Sequence, residues 1–206
     1  MSKEIIIKKG YHPNGQLAWE ENWENGVRHG LSRCWHDNGQ LKIEWNYENG
    51  EPHGISRQWY ENGQLKWEYT CHNGEVEGLH REWYDNGQLE LEKNCENGEV
   101  HGLQREWHEN GQLRWEENYD NGKRHGLSRY WYENGQLKQE SNWEQDKAHG
   151  LHREWHENGL LRISEDWENG DLHGYFKRWN DEGRLTEAGQ YKNGKLHGKR
   201  TQHTYY

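Results

Sequence analysis

A His-Gly pair at residues 29–30 returns at 53–54, 101–102, 125–126, 149–150, 173–174 and 197–198, with Glu77-Gly78 in the one remaining place, so every step is 24 residues. A second glycine column keeps the same step through Gly15, Gly39, Gly63, Gly87, Gly111, Gly135, Gly159 and Gly183. Asn precedes each of these except the last, which follows Glu182. A third column, mostly Glu-Asn-Gly, runs through Gly26, Gly50, Gly74, Gly98, Gly122, Gly170 and Gly194 and breaks at Asp146. The three columns hold 23 of the 25 glycines, so glycine here is punctuation between structured segments and not a flexible linker. A unit this short cannot bury a core alone; it is stabilised by stacking on copies of itself.

Between the glycines the side chains repeat too. Trp35, Trp59, Trp83, Trp107, Trp131, Trp155 and Trp179 form one column, with Tyr11 in the equivalent place before it. Leu17, Leu41, Leu65, Leu89, Leu113, Leu137, Leu161 and Leu185 form another without a break. A mostly aromatic column holds Trp23, Tyr47, Tyr119, Trp143, Trp167 and Tyr191, with Cys71 and Cys95 in its remaining slots. An arginine column runs from Arg33 through Arg57, Arg81, Arg105, Arg129 and Arg153 to Lys177. Each unit contains two runs of strand length bounded by turn residues and none long enough for a helix. The expected fold is all-β: an elongated single-sheet solenoid or meander of eight 24-residue β-hairpin repeats over residues 11–198. Residues 1–10 are expected as an N-terminal edge strand or cap and 199–206 as a C-terminal one. About sixteen strands at ~4.8 Å each would span roughly 75–80 Å.

The Asp37-Asn38-Gly39-Gln40 turn sets the faces of the hairpin. A two-residue loop would place Trp35 opposite Lys42 and Arg33 opposite Glu44. A three-residue loop with a glycine bulge would place Trp35 opposite Leu41 and Arg33 opposite Ile43. The second is favoured, because it gathers Leu31, Trp35, Leu41, Ile43 and Tyr47 on one apolar face. The Glu-Asn-Gly-x-x-His-Gly stretch is expected to be a longer connection into the next hairpin. Lys3, Lys8 and Lys9 read as edge protection, and Thr204-Tyr205-Tyr206 as a less protected edge; oligomeric state stays open.

Leu, Ile, Val and Phe number only 27 and the formal charge is −10, a combination usually associated with disorder. Fourteen Trp and twelve Tyr point the other way, since aromatics bury large areas per residue. This composition excludes a conventional enzyme domain with an aliphatic core, and no run of about 18 apolar residues could span a membrane. No secretory h-region is found, and three unpatterned cysteines imply no disulfide framework. Cytoplasmic residence is therefore expected. The acidic balance argues against nucleic acid or an anionic membrane as principal partner.

No constellation in the sequence supports catalysis, a cofactor or a metal. Members of the His column would lie about 9.5 Å apart, too far to share one ion. His36, His108 and His156 alternate with Tyr60, Tyr84 and Tyr132 at one repeat position, which suggests a surface aromatic slot. The arginines are expected to pair with cross-strand Glu or lie across rings, the alternative being contact with an external anion. Cys71 and Cys95 read as small core residues. Charge placement is more informative: residues 31–102 carry 14 acids and 6 bases, net −8, whereas residues 103–206 carry 18 and 16. The acidic connectors are Glu51, Glu75, Glu77 and Glu99, where later repeats have Lys123-Arg124, Lys147 and Lys195. Candidate partner-binding residues are these four glutamates with Trp59, Trp83, Trp107, Tyr60, Tyr84 and His108. Gly39, Gly63, Gly87, Gly111, Gly135, the leucines from Leu41 to Leu137, Trp35, Trp131 and Trp155 are structural.

Trp83-Tyr84-Asp85-Asn86-Gly87-Gln88-Leu89 and the stretch from Asn118-Tyr119-Asp120-Asn121-Gly122 to His125-Gly126 resemble the MORN-repeat variant of bacterial proteins. More narrowly they resemble the YwqK-type antitoxin family, over about residues 11–198. The chain departs from that pattern in its Trp density and in its His column. The resemblance implies an elongated all-β sheet and an immunity role in which a toxin is neutralised by direct binding. With the charge placement, the expected partner is a basic nuclease- or deaminase-like toxin encoded nearby. The alternatives are an aromatic platform for carbohydrate or cell wall, and a structural or membrane-associated MORN scaffold.

Overall fold

The computed structural model describes residues 4–204, so Lys3, Tyr205 and Tyr206 lie outside the described residues. The chain divides into two units, residues 1–99 and 100–206. The first holds β1 (Ile5–Tyr11), β2 (Leu17–Glu24), β3 (Val27–Trp35), β4 (Leu41–Glu48), β5 (Glu51–Pro52), β6 (Gly54–Trp59), β7 (Leu65–His72), β8 (Glu75–Val76), β9 (Gly78–Trp83) and β10 (Leu89–Glu96). A two-residue strand, β11 (Glu99–Val100), falls on the division. The second unit continues with β12 (Gly102–Trp107), β13 (Leu113–Asp120), β14 (Lys123–Trp131), β15 (Leu137–Glu144), β16 (Lys147–Ala148), β17 (Gly150–Trp155), β18 (Leu161–Glu168), β19 (Asp171–Trp179), β20 (Leu185–Lys192) and β21 (Lys195–Gln202). Within each unit the chain forms the expected antiparallel hairpin meander, in which β5 with β6, β8 with β9 and β16 with β17 are each one interrupted strand, paired to β4, β7 and β15 respectively.

Two turn types alternate. In the first, His36 N–H donates to Gln40 O at 2.9 Å and Gly39 N–H to His36 O at 2.9 Å, with Gly39 at φ +83°. This is a three-residue loop closed by a left-handed glycine, and it sets Trp35 opposite Leu41 as expected. The pairing then departs from expectation. Lys42 is an extra, bulged residue, so Cys34 faces Ile43 and Arg33 faces Glu44. One inserted residue moves every later side chain to the other face. The single apolar face is thereby split: Leu31, Arg33 and Trp35 share a side with Leu41, Glu44 and Asn46, whereas Ser32 and Cys34 share the other with Ile43, Trp45 and Tyr47.

The second turn is tight, not the longer connection expected. Glu24 pairs directly with Val27 around Asn25 (φ 50°) and Gly26 (φ 82°), a two-residue loop with both residues left-handed. A bulge at the His-Gly column follows and absorbs the leftover residues. One unit makes this turn without glycine, at Gln145 (φ 48°) and Asp146 (φ 65°). Asp146 is partly compensated, since its Oδ1 accepts the Arg124 N–H at 3.0 Å. Asn tolerates this region better than Gln because its short side chain bonds locally. Gln145→Asn is therefore expected to stabilise by about 0.5–1 kcal/mol. Thermal denaturation checks this, and an unchanged or lower midpoint would refute it.

The buried layer lies on the Ser32 side and works by volume exchange across the register. Ser32 faces Trp45, Ser56 faces Tyr69 and Phe176 faces Gly189. Ser56 is fully buried, and Phe176 retains 2% exposure. Cys71 and Cys95 are buried as well, in keeping with their reading as small core residues. Small residues sit under large rings, so the interior is filled with few aliphatic side chains.

Candidate functional site

The Asn-Gly-Gln turns are stitched from one repeat to the next. Within each unit the turn Asn uses both ends of its amide, as at Asn38: Oδ1 accepts Gln40 N–H at 2.9 Å, and Nδ2 donates to Glu61 O, 23 residues on, at 3.0 Å. Asn14 and Asn62 do likewise in the first unit, and Asn110, Asn134 and Asn158 in the second. The neighbouring His/Tyr column makes the same reach. His36 Nε2 meets Trp59 O at 3.1 Å and Tyr60 Oη donates to Trp83 O at 2.8 Å; His108 meets Trp131 O at 3.5 Å. The polar tips of Tyr60 and His108 are thus committed to the scaffold. The presumed aromatic slot is a structural bracket at its polar end, with only ring faces left to a partner.

The candidate binding residues fall at opposite strand ends. Within the first unit, Trp59, Tyr60, Trp83 and Tyr84 lie at the Asn-Gly-Gln end. Glu51, Glu75, Glu77 and Glu99 lie at the Asn-Gly end and are all exposed. β7 separates the two by eight residues, about 25 Å. Trp107 and His108 belong to the second unit.

At the acidic end Glu51 faces Glu48 directly across the pair, and Glu75 faces His72. Like charges in directly opposed positions are destabilising. Glu48 has only His53, at 3.4 Å, as a partial counter-charge. Glu77 is spent differently, its Oε2 accepting Asn97 N–H at 3.0 Å and capping the next turn. At the corresponding places of the second unit the pairs include Asp120 with Lys123, Glu144 with Lys147 and Glu168 with Asp171, the last again like-charged and met by His173 at 3.2 Å.

The Arg column pairs across the strand as expected. Nε–Oε2 distances are 2.7 Å for Arg33–Glu44, 2.5 Å for Arg57–Glu68, 2.9 Å for Arg81–Glu92 and 2.9 Å for Arg129–Glu140. These pairs are partly exposed, so each contributes no more than about 1 kcal/mol. On the other face a carboxylate is enclosed: Glu117, 6% exposed, accepts hydrogen bonds from Tyr119 Oη at 2.6 Å and from Tyr130 Oη. Burial first, and the Glu117 carboxylate second, push both phenols well above their usual range.

One file has the order of a nucleophile and base. Ser141 Oγ lies 2.8 Å from His152 Nδ1, and His152 Nε2 lies 3.2 Å from Glu154 Oε1. The hydrogen bond from His152 depresses the Glu154 carboxyl below its ordinary value despite burial. Ser141 is itself buried, receives Gln139 Nε2–H at 3.1 Å, and sits mid-strand opposite Ser128. Its local amides are spent in the strand ladder, where they cannot converge on an oxyanion. The file therefore reads as a satisfied buried network. Among the described residues no group of three or more His, Cys, Asp or Glu is placed to hold a metal ion, and no helix is long and apolar enough to cross a membrane.

Sequence reading missed the turn-to-turn role of the asparagines, although their 24-residue step was visible. It also missed the buried serines and Glu117, which only the register places beneath aromatic rings.

Hairpin units joined to their successors by a fixed set of side-chain brackets define a β-repeat scaffold. The particular family follows from the model of the MORN repeat variant, which matches residues 28–49, 52–70, 76–97, 100–121 and 124–145, just over half of the chain. The chain belongs to that family, a family of non-enzymatic repeat scaffolds. Comparison with curated proteins found no match. Among solved structures, "Crystal Structure of TcdB2-TccC3-Cdc42" aligns at 12% identity and a TM-score of 0.24. That alignment spans 93% of this chain but only 13% of the other.

Proposed function

We propose that the protein is a non-catalytic binding scaffold whose acidic strand ends, Glu48, Glu51 and Glu75 together with Glu99, engage a basic protein partner. The observation that carries this reading is the Glu48–Glu51 opposition, offset only in part by His53, inside a stretch of net −8 over residues 31–102. Of the corresponding pairs in the second unit, Asp120–Lys123 and Glu144–Lys147 are oppositely charged and Glu168–Asp171 is not. A scaffold gains nothing internally from like charges facing each other, whereas a cationic partner relieves them and is drawn in by them. The narrower form of the proposal is an antitoxin, acting in the cytoplasm on a basic nuclease- or deaminase-type toxin by covering its substrate cleft. Its support is the repeat family together with the net −8 of residues 31–102.

The test is binding to the basic protein encoded beside it, using wild type and a Glu51→Lys, Glu75→Lys, Glu99→Lys variant. Wild type is expected to bind at micromolar concentration or tighter, more weakly as salt rises. The variant should lose at least tenfold, or about 1.4 kcal/mol, while melting no lower than wild type. No binding to the neighbour, or equal binding by the variant, would remove the proposal.

A further inference from the structure

The face that carries Ser32 and Tyr47 also carries a ladder in which aromatic rings alternate with single filling residues. In the first unit Arg28 fills the step between Trp23 and Tyr47, its guanidinium carbon 5.8 Å and 5.4 Å from the two ring centroids. In the second unit Arg124, paired with Tyr119, lies 3.6 Å over the Trp143 ring, and Leu172 is paired with Trp167 before Tyr191. Between Trp143 and Trp167 the filling position is Ala148, which pairs with Trp143 and ends at its Cβ. A cleft of about 360 Å³ opens there, lined by Ser141, Trp143, Ala148, Gly150, His152 and Trp167.

The two tryptophans of the cleft also lack acceptors. At two other steps the residue two before the ladder aromatic accepts its polar hydrogen: Trp23 Nε1–H donates to Glu21 at 3.1 Å and Tyr119 Oη to Glu117 at 2.6 Å. Before Trp143 this residue is Ser141, whose hydroxyl is engaged by Gln139 and His152. Before Trp167 it is Glu165, which is turned to Arg178 at 3.1 Å. Both indole N–H groups are buried without an acceptor, and an unmet buried donor is destabilising until a ligand satisfies it.

Charge decides among possible occupants. Each arginine filler brings a carboxylate, Glu21 for Arg28 at 2.6 Å and Asp146 for Arg124 at 3.5 Å. At the open step Ser141 replaces that carboxylate, Asp146 is already held by Arg124, and Lys147 borders the cleft. A cation would find only Asp146, which Arg124 already pairs; an acceptor-bearing or anionic group would find two indole donors and a lysine. The two tryptophans stand two strands apart, about 9.5 Å, so a ring between them lies about 4.7 Å from each, within the range of aromatic pairs.

We infer that the step between Trp143 and Trp167 is a binding site for a small planar aromatic carboxylate, whose ring takes the filler's place and whose oxygens supply the missing acceptors. Saturation-transfer NMR and titration with 2-naphthoate test this. Saturable binding below millimolar concentration is expected. The cationic counterpart 2-naphthamidine and the non-planar cyclohexanecarboxylate should each bind at least tenfold more weakly. Ala148→Leu, which copies the Leu172 step, should weaken 2-naphthoate at least tenfold without lowering the melting temperature. Ala148→Val, which copies Val76 and Val100, serves in its place if the leucine variant does not fold. No saturable binding of 2-naphthoate, equal binding of the amidine, or undiminished binding by the filled variant would each overturn the assignment.

Discussion

Phe176→Ala is expected to lower stability by about 3–5 kcal/mol, the usual range for deleting a buried aromatic side chain. Phe176 is the largest fully buried side chain; its ring lies 5.1 Å from Tyr191, tilted by 56°. It faces Gly189, where an added Cβ would come within 2.6 Å of the Phe176 ring. Other repeats solve the same pair the opposite way, with Ser56 under Tyr69 and Ser32 under Trp45. Gly189→Ala alone should therefore cost about 1–3 kcal/mol through overpacking. Phe176→Ser with Gly189→Tyr, the arrangement of the third hairpin, should recover at least half of the loss expected for Phe176→Ser alone. Chemical denaturation of the three variants decides it. If the double variant is as unstable as the sum of its singles, volume exchange across the register is not what holds this layer together.

Arg178→Met should also destabilise, by about 1–3 kcal/mol, in a way that, unlike the first, depends on pH. Arg178 sends Nη2 to Glu165 and Nη1 to Glu187, both at 3.1 Å, and those carboxylates are 7% and 9% exposed as residues. Arg200 also pairs with Glu187, so Glu165 is the group left without a cation. Removing one partner strands the remaining charge; because the Arg178 side chain is 41% exposed, the cost here is about 1–3 kcal/mol, below that of a fully buried pair. A stranded, buried carboxylate has a raised pKa in the folded state. Its penalty is full at neutral pH and disappears as acid protonates it, so the gap between variant and wild type should close as pH falls toward about 4–5. Paired melts across that range give the answer. A gap that stays constant or widens in acid would mean that lost packing, not stranded charge, accounts for the damage.

The repeat unit, its strand content and its turn positions were legible because glycine and asparagine mark backbone conformations that few other residues adopt. Pairing of Arg33 with Glu44 was one of the readings on offer, but the face assignment was not legible. It turns on the bulge at Lys42, a residue with no conformational signature. That single insertion divides the anticipated apolar side and puts serine and glutamate at the buried positions. The acidic connectors could be found by counting charge. Their meaning needed the register, which sets Glu51 against Glu48 and not against a base. The cleft was invisible for a related reason: Ala148 is unremarked in the sequence until it is seen to occupy a step that arginine or leucine fills elsewhere.

The brackets at the Asn-Gly-Gln turns all point one way, from a repeat to its successor, and this gives the array a grammar. The Nδ2 of Asn38 and the Nε2 of His36 find their partners only when another turn follows to offer its carbonyls. In the eighth unit the two positions hold Glu182 and Asn180, and Asn180 Oδ1 instead accepts the Arg184 N–H of its own turn at 2.9 Å. In that turn Asn180 does the capping that Asn38 does in the second turn. A designer who wished to splice a further 24-residue unit behind it would have to restore Asn at 182 and His or Tyr at 180. Units inserted earlier would need only to keep both residues. The array can thus be lengthened from within by duplication, but past its eighth turn only by rewriting two residues.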